Sequence, residues 1–446
     1  MSATSEYPVV TSAAAPGFVP DLERRVGAAA APGRRAANPF RTLARRRNFR
    51  LFWTGQTLSL VGTWMQTMAQ GWLALQLTDS AFYVGLVASA GSLPILLFSF
   101  VAGVYVDRAD RLRLVTAMQA LMLGEAATLW LTTVTGHVTI GVLLALAFAH
   151  GVFAAFEIPA RNALLVDLVE RDELPEAIAL NSSGFNLARI LGPAIGAVVI
   201  STLGLAWCFG LNALSYLAVL GGLFSIRLPA RERPTPGGTA LQGLLEGFRY
   251  MWQTPQVRTL MGMVLVFSVF GTPYLTLMPV VARDRLGLGA GGYGTLLAAV
   301  GIGGLGGALW LAAVGSRVRQ GRLLMHASFV FPALLLGFAF VRSAALAWPL
   351  LLATGTAMIL TGALSNGLLQ TIVPDELRGR LMAAYSFVVV GMAQVFGSFF
   401  GGAVARAAGV EWAVAGGAAL MLGYAVFIAW RHPGLWRERR RAGAMA

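Results

Sequence analysis

One stretch of this sequence occurs twice, as Asn162-Ala-Leu-Leu-Val-Asp-Leu-Val-Glu-Arg-Asp-Glu-Leu174 and, one residue shorter, as Asn366-Gly-Leu-Leu-Gln-Thr-Ile-Val-Pro-Asp-Glu-Leu377. Each copy follows a long apolar segment and leads into a segment with spaced glycines. An internal repeat of this kind indicates a chain built by duplication. We therefore predict two related halves, with the two copies at equivalent places on the same side of the molecule.

The composition indicates a protein that lies in a membrane. Of 446 residues, 57% are hydrophobic and 12% are charged, whereas a soluble chain is about one quarter charged. Crossing about 30 Å of hydrocarbon takes about 20 apolar residues, and such segments recur along the chain. We predict an all-α integral membrane fold of twelve transmembrane helices in two six-helix, pseudo-symmetric halves. The predicted spans are 51–77, 82–106, 114–133, 138–158, 177–203, 205–226, 259–282, 291–315, 322–341, 346–370, 381–405 and 411–430.

The arginine distribution sets the orientation. All 34 basic residues are arginine, and a cytoplasmic N-terminus places 29 of them inside, four outside and Arg189 within a span. Positively charged residues are retained on the cytoplasmic side. We predict a multi-pass protein of a bacterial inner membrane with both termini cytoplasmic. The predicted regions are a disordered basic tail (1–48), the first half (49–226), a linker with an amphipathic helix (227–258), the second half (259–430) and a second tail (431–446).

Several classes of protein fit this sequence poorly. The net charge of +14 suits the anionic cytoplasmic leaflet better than a nucleic acid in so apolar a chain. The absence of lysine excludes a phosphate-binding loop, and four scattered histidines form no paired metal site. We therefore expect no enzyme, no ATP-driven pump, no metal and no cofactor. An ion channel would need pore-lining rings from an oligomer, whereas the internal repeat favours a monomer.

The loop between the second and third spans reads Gly103-Val-Tyr-Val-Asp107-Arg108-Ala-Asp-Arg111-Leu-Arg113. It resembles the loop motif of the major facilitator superfamily, in which a glycine precedes Asp-Arg and further basic residues. We expect Gly103 to let two helices approach closely and Asp107 to sit at the positive end of a neighbouring helix. The arginines would bind carboxylates or lipid phosphates.

A conformational latch is the function that this loop predicts, and a loop that only fixes the orientation is the alternative. Glu157 and Arg161, four residues apart, are expected to form an ion pair. We include this pair among the candidates for the latch. The second half keeps basic residues at the equivalent place but lacks the acid, so the latch should be asymmetric. The latch candidates are Gly103, Asp107, Arg108, Arg111, Glu157 and Arg161; the second-half equivalents are Gly315, Arg317, Arg319 and Arg322.

Two further resemblances point to export. The segment from Arg189 through Gly192, Pro193 and Gly196 resembles, with fewer glycines, the Gly-Pro motif of drug-proton antiporters in the same superfamily. It predicts a kink at Gly192, Pro193 and Gly196, although packing alone could explain such small residues. Most of the chain, through segments 49–56, 65–73 and 157–165, is similar to the enterobactin-exporter-like branch. That branch contains siderophore exporters and multidrug-type efflux pumps, which implies proton-coupled export of rather apolar small molecules.

Polar residues recur on one face of the first span at three- and four-residue steps. In lipid such a face must look toward protein or a water-filled cavity, so it predicts either a substrate cavity or hydrogen bonds between helices. Tyr274 lies in the repeat partner of the first span, and Gln394 lies near the repeat position of Arg189. The cavity candidates are Gln56, Thr63, Gln66, Gln70, Tyr274 and Gln394.

Ionisable residues within the predicted spans are Glu125, Arg189, Glu157 and His150. Such residues are costly in hydrocarbon and usually functional. Glu125 and Arg189 are the candidates for proton coupling, with a structural Glu125–Arg189 pair as the alternative. The sequence thus predicts a secondary active transporter that exports amphipathic, siderophore-like or drug-like molecules by alternating access, with protons and membrane lipids as partners. The alternative is facilitated uptake or uniport without proton coupling.

Overall fold

The computed structural model describes residues 40–227, 240–315 and 318–431. Both predicted tails beyond these limits, the Pro-Gly stretch of the linker and Arg317 lie outside the described residues. A short helix, Phe40–Arg45, precedes the long helices. These are α1 Arg47–Thr78, α2 Ala81–Arg108, α3 Arg111–Val134, α4 Ile140–Asp167, α5 Leu174–Thr202, α6 Ala206–Phe224, α7 Pro255–Arg285, α8 Ala290–Val314, α9 Gln320–Ala339, α10 Ala344–Ile372, α11 Leu377–Ala408 and α12 Val410–Arg431.

Eleven of the helices in the described residues are long and apolar enough to cross a membrane. The exception is α1, which has 32 residues but whose glutamines and threonines lower its mean hydropathy. Because α1 is easily long enough to span about 30 Å and packs against α5 and α6, it supplies the twelfth span. The predicted all-helical, multi-pass membrane fold is confirmed.

Two of the spans are not regular α-helices. In α7 the helical segments Pro255–Gly271, Pro273–Thr276 and Met278–Val280 lead into a π-helical turn, Val281–Arg285. Proline lacks the N–H that continues a helix, which explains the interruptions. The helix Asp375–Ser386, which contains the start of α11, continues as the π-helix Phe387–Gly397.

Glycines bring helix pairs into backbone contact within each half. A side chain at Gly151 of α4 would overlap the carbonyl oxygen of Gly91 on α2. In the second half, side chains at Gly303 and Gly355 would overlap carbonyl oxygens of the facing helix in the α8–α10 pair. Small residues permit such close approach in membranes, where dispersion contacts replace the hydrophobic effect.

The first half (α1–α6) meets the second half (α7–α12) along two helix pairs, α2 with α11 and α5 with α8. Glycine again sets the distance, because a Cβ at Gly294 would lie 2.7 Å from the carbonyl oxygen of Pro193. Cys208, the only cysteine of the chain, is fully buried on α6, with its sulfur 3.9 Å from the Gly196 carbonyl oxygen.

One end of the bundle is closed between the halves. Asp79, which ends α1 in a left-handed conformation (φ 49°), accepts a 2.5 Å hydrogen bond from Arg283 of α7. Beside this ion pair the rings of Trp72 and Tyr293 stack at 5.9 Å. Further contacts between the halves lie nearer the middle, where Ser89 donates to the Val395 carbonyl, and at Phe82, whose ring meets Phe399 and Arg406.

The linker helix, Ala240–Gln253, packs on the beginning of α11. Glu246 pairs with Arg380, and Phe248 meets Phe387 edge to face at 6.1 Å. The sequence predicts an amphipathic helix here, and two of its large apolar side chains, Leu245 and Trp252, are exposed. The helix is therefore attached to the second half, and the predicted domain limits remain predictions.

Candidate transport site

A buried carboxylate lies at the centre of the first half. The Glu125 side chain is 1% exposed, and the Gln66 amide nitrogen lies 3.1 Å from both carboxylate oxygens. His150 Nδ1 lies 3.2 Å from Oε2. Three helices, α1, α3 and α4, therefore converge on this one group, and His150 is its ionisable partner.

The alternative prediction of a Glu125–Arg189 pair is wrong. Glu125 is held by Gln66 and His150, while the Arg189 guanidinium donates to Asn186 Oδ1 at 3.1 Å. The physical reason is position, because Arg189 lies on α5 at the boundary with the second half and Glu125 faces the interior of the first.

The hydrogen-bond network continues from Gln66 onto α6. Asn212 donates to Gln66 Oε1 at 2.8 Å, and Ser215 donates to Asn212 Oδ1 at 3.2 Å. One turn away, the Thr63 and Tyr216 hydroxyls are 3.2 Å apart. Gln66 and Thr63 thus make hydrogen bonds between helices. This was the second of the two roles predicted for the polar face of α1, the first being a substrate cavity.

A second buried cluster surrounds Glu157. The predicted ion pair with Arg161 is present, with Nε 3.0 Å from Oε1, and Gln119 donates to the same oxygen at 3.0 Å. A weaker contact of 3.4 Å joins Gln119 to Gln56. Glu157 is 4% exposed and Arg161 is 7% exposed, so this pair is a fixed element of the core.

The loop after α2 differs in part from the prediction. Nothing lies within 4 Å of a Cβ built on Gly103, so Gly103 does not bring two helices together. Asp110, rather than Asp107, caps α3, because its side chain accepts from the Arg113 backbone N–H. Cap position is decided by where the chain enters the helix, and Asp107 still lies within the last turn of α2.

The remaining latch candidates fall into separate places. Arg111 pairs with Asp167 at 2.8 Å and so joins the start of α3 to the end of α4. Asp107 and Arg108 are exposed. Among the described residues, the contacts of Arg111 and of the Glu157–Arg161 pair stay within the first half. A latch between the halves remains a prediction.

The Gly-Pro segment of α5 packs tightly on α1. A Cβ at Gly192 would lie 2.5 Å from Trp64 Cβ, and one at Gly196 would lie 3.2 Å from Met68 Sδ. Pro193 lies within a helix that runs without a break from Leu174 to Thr202. These contacts agree with the packing alternative, and a functional kink stays a prediction.

The other cavity candidates do not share one surface. Gln70 Nε2 is buried and makes no hydrogen bond within the described part of the protein. Tyr274 is fully buried and donates to Met358 Sδ at 3.4 Å, whereas Gln394 is exposed on the π-helical segment of α11. Helical periodicity identified a polar face on α1 but missed Gln119, Asn212 and Tyr216, which are isolated polar residues in otherwise apolar helices.

The loop at the end of α4 and the start of α1 form an ion-pair site outside the membrane spans. Arg46 contacts Glu170 at 2.5 Å and Glu173 at 2.8 Å. Hydrogen bonds to Glu170, and then to Glu173, raise the pKa of Arg46 above its usual value. The described residues contain no group of three or more His, Cys, Asp and Glu that could hold a metal ion.

Twelve helices in two halves, with a buried polar network in one of them, define a transporter of the major facilitator type. Solved structures share this fold. A bacterial homologue of the human lysosomal transporter Spinster, inward-facing and unoccupied, has a TM-score of 0.67 at 14% identity, covering 90% of this chain and 97% of that one. The nucleoside transporter NupG gives 0.66 at 13% identity, covering 88% and 100%.

The chain belongs to the transmembrane secretion effector family, which matches residues 37–439. It is 29% identical to the multidrug efflux pump Tap of Mycolicibacterium fortuitum over 78% of this chain and 87% of that protein. It is 27% identical to the enterobactin exporter EntS of Escherichia coli over 84% and 89%, and 25% identical to the staphyloferrin A transporter of Staphylococcus aureus over 65% and 73%. The protein is therefore a transporter of small molecules and not an enzyme, and the resemblance stated from its motifs is confirmed.

Proposed function

We propose that this protein exports amphipathic small organic molecules across the bacterial inner membrane by alternating access, coupled to proton influx. The names of its relatives, a multidrug pump and a siderophore exporter, support export. The observation that carries the coupling is the buried contact of Glu125 with His150 and Gln66.

The choice of partner separates Glu125 from the other buried acid. Glu157 faces Arg161, whose guanidinium keeps its charge at all relevant pH values, so that pair is permanent. Glu125 faces a neutral amide and an imidazole, and histidine is the side chain whose ordinary pKa lies near neutral pH. Uptake of one proton by a carboxylate beside a neutral imidazole brings the pair from one negative charge to zero, and release of the proton restores that charge. Glu125 and His150 are therefore the proposed proton carriers.

Alternating access is supported by the contact between the halves at the ends of α1 and α7. The closed end contains Asp79 and Arg283, where α1 and α7 end. With both termini cytoplasmic, as the arginine distribution favours, this end faces outward. Export then requires the Asp79–Arg283 contact to break, while the exposed arginines Arg108 and Arg113 contact lipid phosphates at the cytoplasmic face. A monomer provides all of these elements.

The experiment uses everted membrane vesicles with an imposed pH gradient and fluorescent amphipathic dyes. Glu125→Gln should reduce proton-driven dye accumulation to the level of vesicles without the transporter, while dye exchange at equal concentration continues. Asp172→Asn, at an exposed carboxylate in the loop between α4 and α5, is the matched control and should transport normally. Unimpaired accumulation by Glu125→Gln at normal expression would overturn the coupling, and wild-type transport that ignores an uncoupler would establish uniport instead.

A further inference from the structure

Arg189 is a cation at the boundary between the two halves. Within the described residues its guanidinium forms no ion pair with a carboxylate, and its one hydrogen bond goes to the neutral amide of Asn186. Glu157, by contrast, is paired with Arg161, and Glu125 contacts His150. An arginine within a membrane-spanning helix is expensive unless a counter-charge is supplied, so an anion bound at Arg189 would be stabilised.

The surroundings of Arg189 come from both halves. Its Nη2 atom lies beside Gly304 of α8, 3.5 Å from the position that a Cβ would take there, so the second half contacts the guanidinium. A ligand bound to Arg189 would therefore contact the elements that move relative to each other during transport.

An aromatic surface lies one helical turn away. Phe185 is on the same side of α5 as Arg189, because residues four apart face the same way. It is 39% exposed and meets Trp64 of α1 edge to face at 5.8 Å. A guanidinium beside accessible aromatic rings can bind a planar aromatic anion in two ways at once. The guanidinium pairs with the charge of the anion, and the protein's rings stack on the ring of the anion.

We propose that Arg189 binds the anionic group of the transported molecule, and that the substrates are amphipathic aromatic anions such as carboxylates or phenolates. This inference rests on the proposed function only in that the protein transports small amphipathic molecules. It assigns Arg189 to substrate binding rather than to proton coupling, and it is independent of Glu125.

The test compares two dyes with the same xanthene ring system and opposite charge, fluorescein (anionic) and rhodamine 123 (cationic). Binding to the purified full-length transporter is measured by fluorescence anisotropy. Wild type should bind fluorescein more tightly, and Arg189→Gln should weaken fluorescein binding by roughly tenfold or more, the usual loss for a hydrogen bond to a charged group. Arg189→Lys should retain part of the affinity, and rhodamine 123 binding should not weaken in either variant.

Arg171→Gln, at an exposed arginine in the loop between α4 and α5, is the matched control and should bind both dyes as wild type does. Size-exclusion profiles and melting temperatures establish that each variant is folded. The proposal is overturned by unchanged fluorescein affinity in folded Arg189→Gln, by equal loss of both dyes, or by a wild type that does not bind fluorescein. Proton-driven rhodamine 123 export in any of these cases would leave the proposed function standing.

Discussion

The two halves of this transporter share a framework but differ in what they bury. Described residues of the first half bury carboxylates, a guanidinium and amides, whereas the buried polar side chains described in the second half carry only hydroxyls. Those of the first half include Gln56, Gln66, Gln119, Glu125, Glu157, Arg161 and Asn212; those of the second are Ser328, Thr354, Thr361, Ser365 and Ser398.

The hydroxyls are inexpensive to bury. Ser328, Thr354 and Thr361 each donate to the carbonyl four residues earlier in their own helix, so they need no partner from another element. The carboxylates and amides of the first half require partners on other helices, as Glu125 and Gln119 show. The two halves thus share an architecture, but within the described residues the buried charged and amide side chains lie in the first half.

The close backbone contacts between helices are similar in the two halves. The α2–α4 contact at Gly91 and Gly151 has its counterpart in the α8–α10 contact at Gly303 and Gly355. Both pairs occupy equivalent positions in their six-helix units. The halves therefore resemble each other as rigid frames and differ as chemical environments.

Removing a buried charge should produce the largest difference between the halves. Glu157→Ala leaves Arg161 unpaired in the core and should cost about 3–5 kcal/mol. Thr361→Val, which removes one buried hydroxyl of the second half, should cost at most about 1.5 kcal/mol. Thermal unfolding in the same detergent compares them. Equal losses would show that the two cores are energetically alike and would break the comparison.

Filling the glycine contacts should affect both halves equally. Gly151→Ala and Gly355→Ala each force a methyl group into a backbone contact and should cost about 1–3 kcal/mol. Gly124→Ala and Gly306→Ala, where nothing lies within 4 Å of the new atom, are controls that should be neutral or stabilising by up to about 1 kcal/mol. A loss confined to one half would contradict the shared frame.

A smaller effect is expected at the cap of α3. Asp110 accepts the Arg113 backbone N–H, while α9, the equivalent helix of the second half, begins without a side-chain cap. Asp110→Ala should therefore destabilise the first half by about 1 kcal/mol. Asp110→Asn, which keeps an acceptor, should restore most of this stability in the same unfolding measurement. Failure of asparagine to do so would assign the effect to the charge instead.

The smallest change in stability is expected at the contact between the closed ends. The Asp79 and Arg283 side chains are 81% and 33% exposed, so Asp79→Asn should cost less than about 1 kcal/mol. Hydrogen–deuterium exchange should nevertheless accelerate at both helix ends, because the contact that holds them together is weakened. Unchanged exchange there, with Asp172→Asn at an exposed loop as control, would show that this pair does not hold the end closed.

The sequence predicted the helices and halves well because they depend on apolar length, arginine distribution and repeats. It predicted less of the site. A period of 3.6 residues shows that Gln56 and Gln66 share a face, but not that Gln66 faces Glu125 or that His150 completes the contact. Gly103 was predicted to bring helices together, yet it has open space beside it, because composition alone does not determine which helix lies opposite.

The buried thiol of Cys208 has a practical consequence. It lies wholly inside α6 against the Gly196 carbonyl, so water-soluble maleimides should not reach it in the folded protein. A cysteine introduced at any exposed position then carries the sole reactive sulfur, and pairs of spin labels or fluorophores can be placed without first altering the native sequence. The distance between the halves can thus be followed through a transport cycle in an otherwise unmodified chain.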